Sequence, residues 1–172
     1  RDRATVPSVV WIEPDHREGR GQLIQGLLQK GLTKEAARQY MQLARLWRDR
    51  DEGFAGECLR QAMELAPQEP EFMRPYAEFL VHGGHQAEAV ETFERLARCL
   101  EQQGMMMDAA GVYQQILQLD PDRLEAVKQL AGLNETMGRL DRAAVYLEQL
   151  AQMYEKQKMV DQAVETYLQV AD

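Results

Sequence analysis

The stretch Ala87–Pro121, AEAVETFERLARCLEQQGMMMDAAGVYQQILQLDP, writes one packing pattern twice. In its first half Ala89 is followed by Phe93 and then Leu96; in its second half Ala109 is followed by Tyr113 and then Ile116. Steps of four and three residues put each small, large, aliphatic set on a single helical face. Gly104 divides the halves, and Pro121 ends the second by withholding a backbone N–H. The stretch predicts two helices that reuse one arrangement, with the alanines allowing close approach and the large residues filling the space left.

The pattern extends in both directions. Ala143, Leu147 and Leu150 repeat it, as do Ala163, Tyr167 and Val170, so the alanines fall 20, 34 and 20 residues apart, and Pro67 precedes Pro121 by 54. Lys34–Arg48 shows the same period, with Ala36, Ala37, Tyr40, Leu43, Ala44 and Trp47 in one stripe and Arg38, Arg45 and Arg48 opposite. The periodicity predicts nine helices, near 20–30, 34–48, 54–65, 71–82, 86–101, 106–119, 123–136, 140–156 and 160–171. Their turns fall at Gly31, Asp51–Gly53, Pro67–Pro70, Gly84, Gly104, Pro121, Gly138 and Lys158, and the short links suit antiparallel neighbours.

On these residues the chain resembles the tetratricopeptide repeat family. Met73, Tyr76, Ala77, Leu80, Gly84, Ala89, Phe93 and Leu96 follow that family's order, and Phe93, Leu96, Ala97, Leu100, Gly104, Ala109, Tyr113, Ile116 and Pro121 follow it again, sharing a helix. Val127, Leu130, Ala131, Gly138, Ala143 and Leu147 continue it, with Asn134 in place of the usual Tyr and Lys158 in place of the usual Gly. The N-terminal part fits more loosely, one residue shorter, through Leu23, Leu27, Gly31, Ala36, Tyr40 and Leu43 and then Ala44, Trp47, Ala55, Leu59, Ala62 and Pro67. The overlap gives a unit of three helices and about 54 residues. The resemblance implies an all-α, right-handed α-solenoid of antiparallel helices, non-catalytic, that holds a peptide or folded protein on a curved helical surface. Its long arrays are similar to bacterial assembly and regulatory scaffolds. The alternative is a structural spacer or self-assembly module of a longer repeat protein.

Composition narrows the classes. The 172 residues are 45% hydrophobic and 28% charged, which suits a folded chain. Residues 1–60 carry 11 Lys/Arg and 9 Asp/Glu, and residues 61–172 carry 9 and 19. The acidic portion argues against nucleic acid, whose phosphates need clustered cations, and against insertion at anionic membranes. Cys58 and Cys99 are too few and too distant for a disulfide framework and read as buried thiols, with cytoplasmic residence the mild inference. Residues 1–16, with TVPSVVWIEP around two prolines, read as an extended segment or linker, its Trp11 packing on the first helices; residues 17–172 read as the repeat domain, a piece of a longer array.

Candidate chemistry is sparse. His82 and His85 flank a glycine turn without the further ligands that zinc needs, and Gly83 and Gly84 lack a phosphate-loop context, so no metal or cofactor is expected. Lys128 could begin the cationic clamp by which some family members take acidic tails, but the residue one turn on is Gly132. The candidate partner-binding residues are Arg38, Met41, Arg45 and Arg48, on one face, with Arg74 in the same layer; guanidinium groups there suit an acidic or carboxylate-bearing peptide. Met106 takes the turn slot filled elsewhere by Leu140 and Val160, while Met105 and Met107, without such counterparts, cover the turn or touch an adjacent unit. Exposed repeat ends leave homo-oligomerisation open.

Overall fold

The computed structural model describes residues 17–171; the expectations for residues 1–16 and Trp11 lie outside them. Among the described residues are nine helices: α1 (Arg17–Gln29), α2 (Thr33–Trp47), α3 (Glu52–Leu65), α4 (Pro70–His82), α5 (Gln86–Gln102), α6 (Met106–Leu119), α7 (Leu124–Thr136), α8 (Leu140–Lys156) and α9 (Val160–Ala171). All nine predicted helices are present, with α3 taking in Gly53, which was expected in the turn.

The helix starts carry the three-helix unit. α5 begins at Gln86 and α8 at Leu140, α6 at Met106 and α9 at Val160, α4 at Pro70 and α7 at Leu124, each pair 54 residues apart. From α1 to α4 and from α2 to α5 the step is 53, and from α3 to α6 it is again 54. The missing residue therefore lies between the start of α2 and the start of α3, where α2 has 15 residues against the 17 of α5 and the link that follows is longer.

Five turns share one hydrogen-bonding scheme, that of a helix C-terminus closed by a residue in the left-handed region. Gly31, Gly84, Gly104, Gly138 and Lys158 have φ of 73°, 76°, 76°, 69° and 60°. After each, the next residue's N–H reaches back to close the finished helix: His85 to the Leu80 carbonyl at 2.9 Å, Met105 to Leu100 at 2.9 Å, Arg139 to Asn134 at 2.8 Å, Met159 to Tyr154 at 2.9 Å. The carbonyl of that same residue accepts the first bond of the following helix, from Ala89, Ala109, Ala143 and Ala163 respectively, each at 3.0 Å. Met105 thus has counterparts in Leu32, His85, Arg139 and Met159, which corrects the expectation that it had none. The link between α2 and α3 works differently: Asp51 is extended and its Oδ1 accepts from the Phe54 N–H at 2.9 Å, an N-cap in place of a left-handed residue.

By packing, the described residues fall into two units that divide after Phe79, with α4 running through the division. In the first, Ile24, Ala36, Leu43, Ala44, Ala55 and Cys58 make a buried core flanked by Tyr40, Trp47 and Phe54. Trp47 and Phe54 meet edge to face at 5.5 Å, and the Arg17 guanidinium lies 3.8 Å from the Phe54 ring centre. Gly56 is buried where the Phe79 ring occupies the space a Cβ would need, so that slot takes no side chain. In the second unit the six slots of the quoted stretch hold as read: Ala89, Phe93, Leu96, Ala109, Tyr113 and Ile116 are all buried. Asn134 is buried as well, and its Nδ2 donates to the Leu130 carbonyl at 2.7 Å, which satisfies one amide donor within the helix.

Candidate partner-binding surfaces

In the first unit α2 buries Ala36, Ala37, Leu43 and Ala44 and turns the stripe Arg38, Met41, Arg45, Arg48 away from that core. Arg38, Arg45 and Arg48 are exposed and Met41 is half-buried. Arg38 reaches α4, where its Nη2 lies 3.4 Å from Glu71 Oε1, and Lys34 Nζ lies 2.7 Å from Glu69 Oε1 at the start of that helix. Arg74, half-buried, follows Glu71 by three residues on the same face of α4. The α2 stripe and Arg74 therefore flank a pair of carboxylates that sequence reasoning did not place there, because Glu69 and Glu71 lie far along the chain from Lys34 and Arg38. Both ion pairs are exposed, so each is worth about 0–1 kcal/mol and can exchange for a partner's carboxylate. Arg45 and Arg48 make no ion pair among the described residues.

In the second unit α7, α8 and α9 enclose a groove of about 690 Å³. Leu147, Leu150 and Tyr154 of α8 form its floor, Lys128 and Glu135 of α7 one wall, and Glu165 and Gln169 of α9 the other. Gly132 lies between Lys128 and Glu135, one turn beyond the lysine, and brings no side chain to complete a cationic clamp. The groove was not recognised from sequence. Its signal was present as two polar stripes at helical spacing, Lys128–Gly132–Glu135 on α7 and Gln162–Glu165–Gln169 on α9, on either side of an apolar helix.

Reactive side chains are placed for packing. Cys58 and Cys99 are both buried and unpaired, and burial pushes the Cys58 thiol up to about 11, far from the thiolate a nucleophile needs. Burial, and then the bond its hydroxyl donates to Glu101 Oε1 at 2.7 Å, raises Tyr113 above the ordinary phenol range. No group of three or more His, Cys, Asp or Glu able to hold a metal occurs among the described residues, and no helix there is long and apolar enough to cross a membrane.

This stacked-helix geometry agrees with the family comparison: the model for soluble NSF attachment proteins, SNAP, matches residues 77–172, more than half of the chain. The chain belongs to the soluble NSF attachment protein family. In this SNAP-family chain the matched residues take in the C-terminal part of α4 and all of α5 to α9, the part in which the tetratricopeptide-like slots are most regular. No curated protein matches it. Among solved structures it is similar to Pseudomonas aeruginosa PilF, at 19% identity over 90% of each chain with a TM-score of 0.35. YrrB, described as a TPR protein with an unusual peptide-binding site, shares 17% identity over 86% of this chain and 90% of its own, with a TM-score of 0.34. A Podosopora anserina kinesin light chain of nearly identical TPR-like repeats shares 17% identity over 93% and 95%, with a TM-score of 0.44. Likenesses at these levels carry no functional argument to the SNAP-family chain.

Proposed function

We propose that the protein is a non-catalytic interaction scaffold that holds a peptide or folded protein partner on its helical faces. The observation that carries this reading is the stripe on α2: three arginines on one face, two of them without an ion pair among the described residues and the third in an exposed, exchangeable one, beside a half-buried methionine. Guanidinium groups offer paired donors to carboxylates, and methionine offers an adaptable apolar contact, so the surface suits an acidic peptide or the acidic face of a folded protein. Arg38, Met41, Arg45, Arg48 and Arg74 are the residues assigned to it. The family's own name describes attachment to another protein, which supports a binding role.

The test is affinity capture with the wild-type chain and with the triple variant Arg38→Glu/Arg45→Glu/Arg48→Glu. All three positions are exposed, so helicity by circular dichroism should be unchanged while a specific partner is lost and binding becomes salt-sensitive in the wild type alone. Equal capture by both forms would overturn the assignment of the arginine face.

A further inference from the structure

The groove of α7, α8 and α9 is a second surface with a chemistry of its own. It is complete in three consecutive helices, and its α9 wall is the stripe Gln162, Glu165, Thr166 and Gln169, at steps of three and four residues. Val164 and Leu168 lie on a different face of that helix, so whatever packs against them leaves the groove as it is. Leu147 and Leu150 are buried beneath the groove and Tyr154 is half-buried, while Lys128, Glu135, Gln162, Glu165 and Gln169 stand exposed along its walls. Gly132 lies between Lys128 and Glu135, and an added Cβ there meets no atom within 4 Å. The α7 wall is therefore low, and its backbone is open to an occupant.

Three charged side chains line the groove, Lys128, Glu135 and Glu165, and none of them makes an ion pair among the described residues. Two carboxylates against one ammonium leave the lining anionic, the opposite sign to the arginine stripe on α2. The surrounding chain adds to that field, since residues 61–172 carry 19 Asp/Glu against 9 Lys/Arg. Short turns make α7 and α9 run the same way, opposite to α8. Glu135 lies eleven residues after Leu124, where α7 starts, and Glu165 five after Val160, where α9 starts. At the helical rise the two carboxylates thus stand on facing walls roughly 9 Å apart along the groove. An extended chain covers that distance in about three residues.

We propose that the α7–α9 groove binds an extended basic segment of a protein partner, with two Arg or Lys residues about three positions apart and an aliphatic residue between them. One cation meets Glu135 and the other Glu165, the aliphatic side chain rests on Leu147 and Leu150, and the Tyr154 ring offers its face to the cation beside it. Lys128 donates to the segment's backbone carbonyls, as do the amides of Gln162 and Gln169. The proposal rests on the reading of the chain as an interaction scaffold and gives that scaffold two surfaces of opposite preference, acidic partners on α2 and basic ones between α7 and α9.

Fluorescence polarisation with labelled eight-residue peptides tests this on the full chain. The probe is an alanine–glutamine host carrying two arginines three positions apart with a leucine between them. One control replaces both arginines by glutamate, and a second replaces the leucine by glutamine. The probe should bind, the glutamate control about tenfold or more weakly, and the glutamine control about threefold or more weakly. Two protein variants, Glu135→Gln/Glu165→Gln and Gly132→Leu, should each lose about tenfold in apparent Kd, the first by removing the carboxylates and the second by filling the groove. All three positions are exposed, and leucine is the better helix former, so neither variant should lower the thermal midpoint. The Arg38→Glu/Arg45→Glu/Arg48→Glu variant should bind the probe as the wild type does, so that failure here and failure of the arginine face are read separately. No binding up to millimolar peptide would overturn the proposal, as would undiminished binding by either groove variant. Equal binding of either control peptide would do the same, since the contact would then lack its charge or its apolar part.

Discussion

α5–α6 and α8–α9 are the same piece of architecture built twice, and they differ in what packs against them among the described residues. Both start at equivalent residues, both bury their alanines, and both turn on a left-handed residue. In the first copy Tyr113 is 3% exposed, with α7 packed beyond; in the second its equivalent Tyr167 is 38% exposed. The first copy turns on Gly104, the second on Lys158. The backbone arrangement survives these changes, so it rests on the small and large slots and on the turn bonds, and the residues outside those slots are free to differ.

The comparison breaks first, if it breaks, at the tyrosines. Tyr113→Ala should cost about 3–4 kcal/mol, from lost burial and the empty space left behind, and Tyr167→Ala about 1 kcal/mol or less. Urea unfolding of the two variants checks this, and equal losses would mean that the second copy does not share the packing of the first. A smaller effect sharpens the account of the turns. Lys158→Gly should stabilise the protein by about 1 kcal/mol, and Gly104→Lys should destabilise it by a similar amount, because a side chain at positive φ strains the backbone. An added Cβ at Gly104 meets no atom within 4 Å, so thermal melts of that variant read the backbone cost alone. Smallest is the third version of the same link, between α2 and α3: Asp51→Ala should cost about 0.5–1 kcal/mol and Asp51→Asn less, since Asn also caps.

The fold was legible in sequence where one residue type has one physical use. Ala89, Ala109, Ala143 and Ala163 announce close helix approach, Gly31, Gly84, Gly104 and Gly138 announce left-handed turns, and all eight do what their spacing predicts. Lys158 was legible as a departure only because the spacing demanded a glycine there. Met105 was misread: its role as a shared turn residue depends on backbone bonds and is compatible with Leu32, His85, Arg139 and Met159 alike, so no side-chain pattern marks it. The binding surfaces were less legible. The arginine stripe on α2 follows from helical period, but the carboxylates of Glu69 and Glu71 that meet it come from a helix more than thirty residues on, and their pairing requires packed coordinates. The α7–α9 groove likewise joins two stripes that are each ordinary solvent-facing patterns on their own.

The turn in which a single residue finishes one helix and opens the next has no slack. Adding or deleting one amino acid there would rotate every later side chain about its axis by roughly a quarter of a circle, some 100°, and undo both neighbours. Evolution can therefore lengthen such a molecule only by whole modules. Where the spacing does shrink by one, between the starts of α2 and α3, the shared residue has given way to the aspartate cap. That link is the place to graft a tag or a foreign loop.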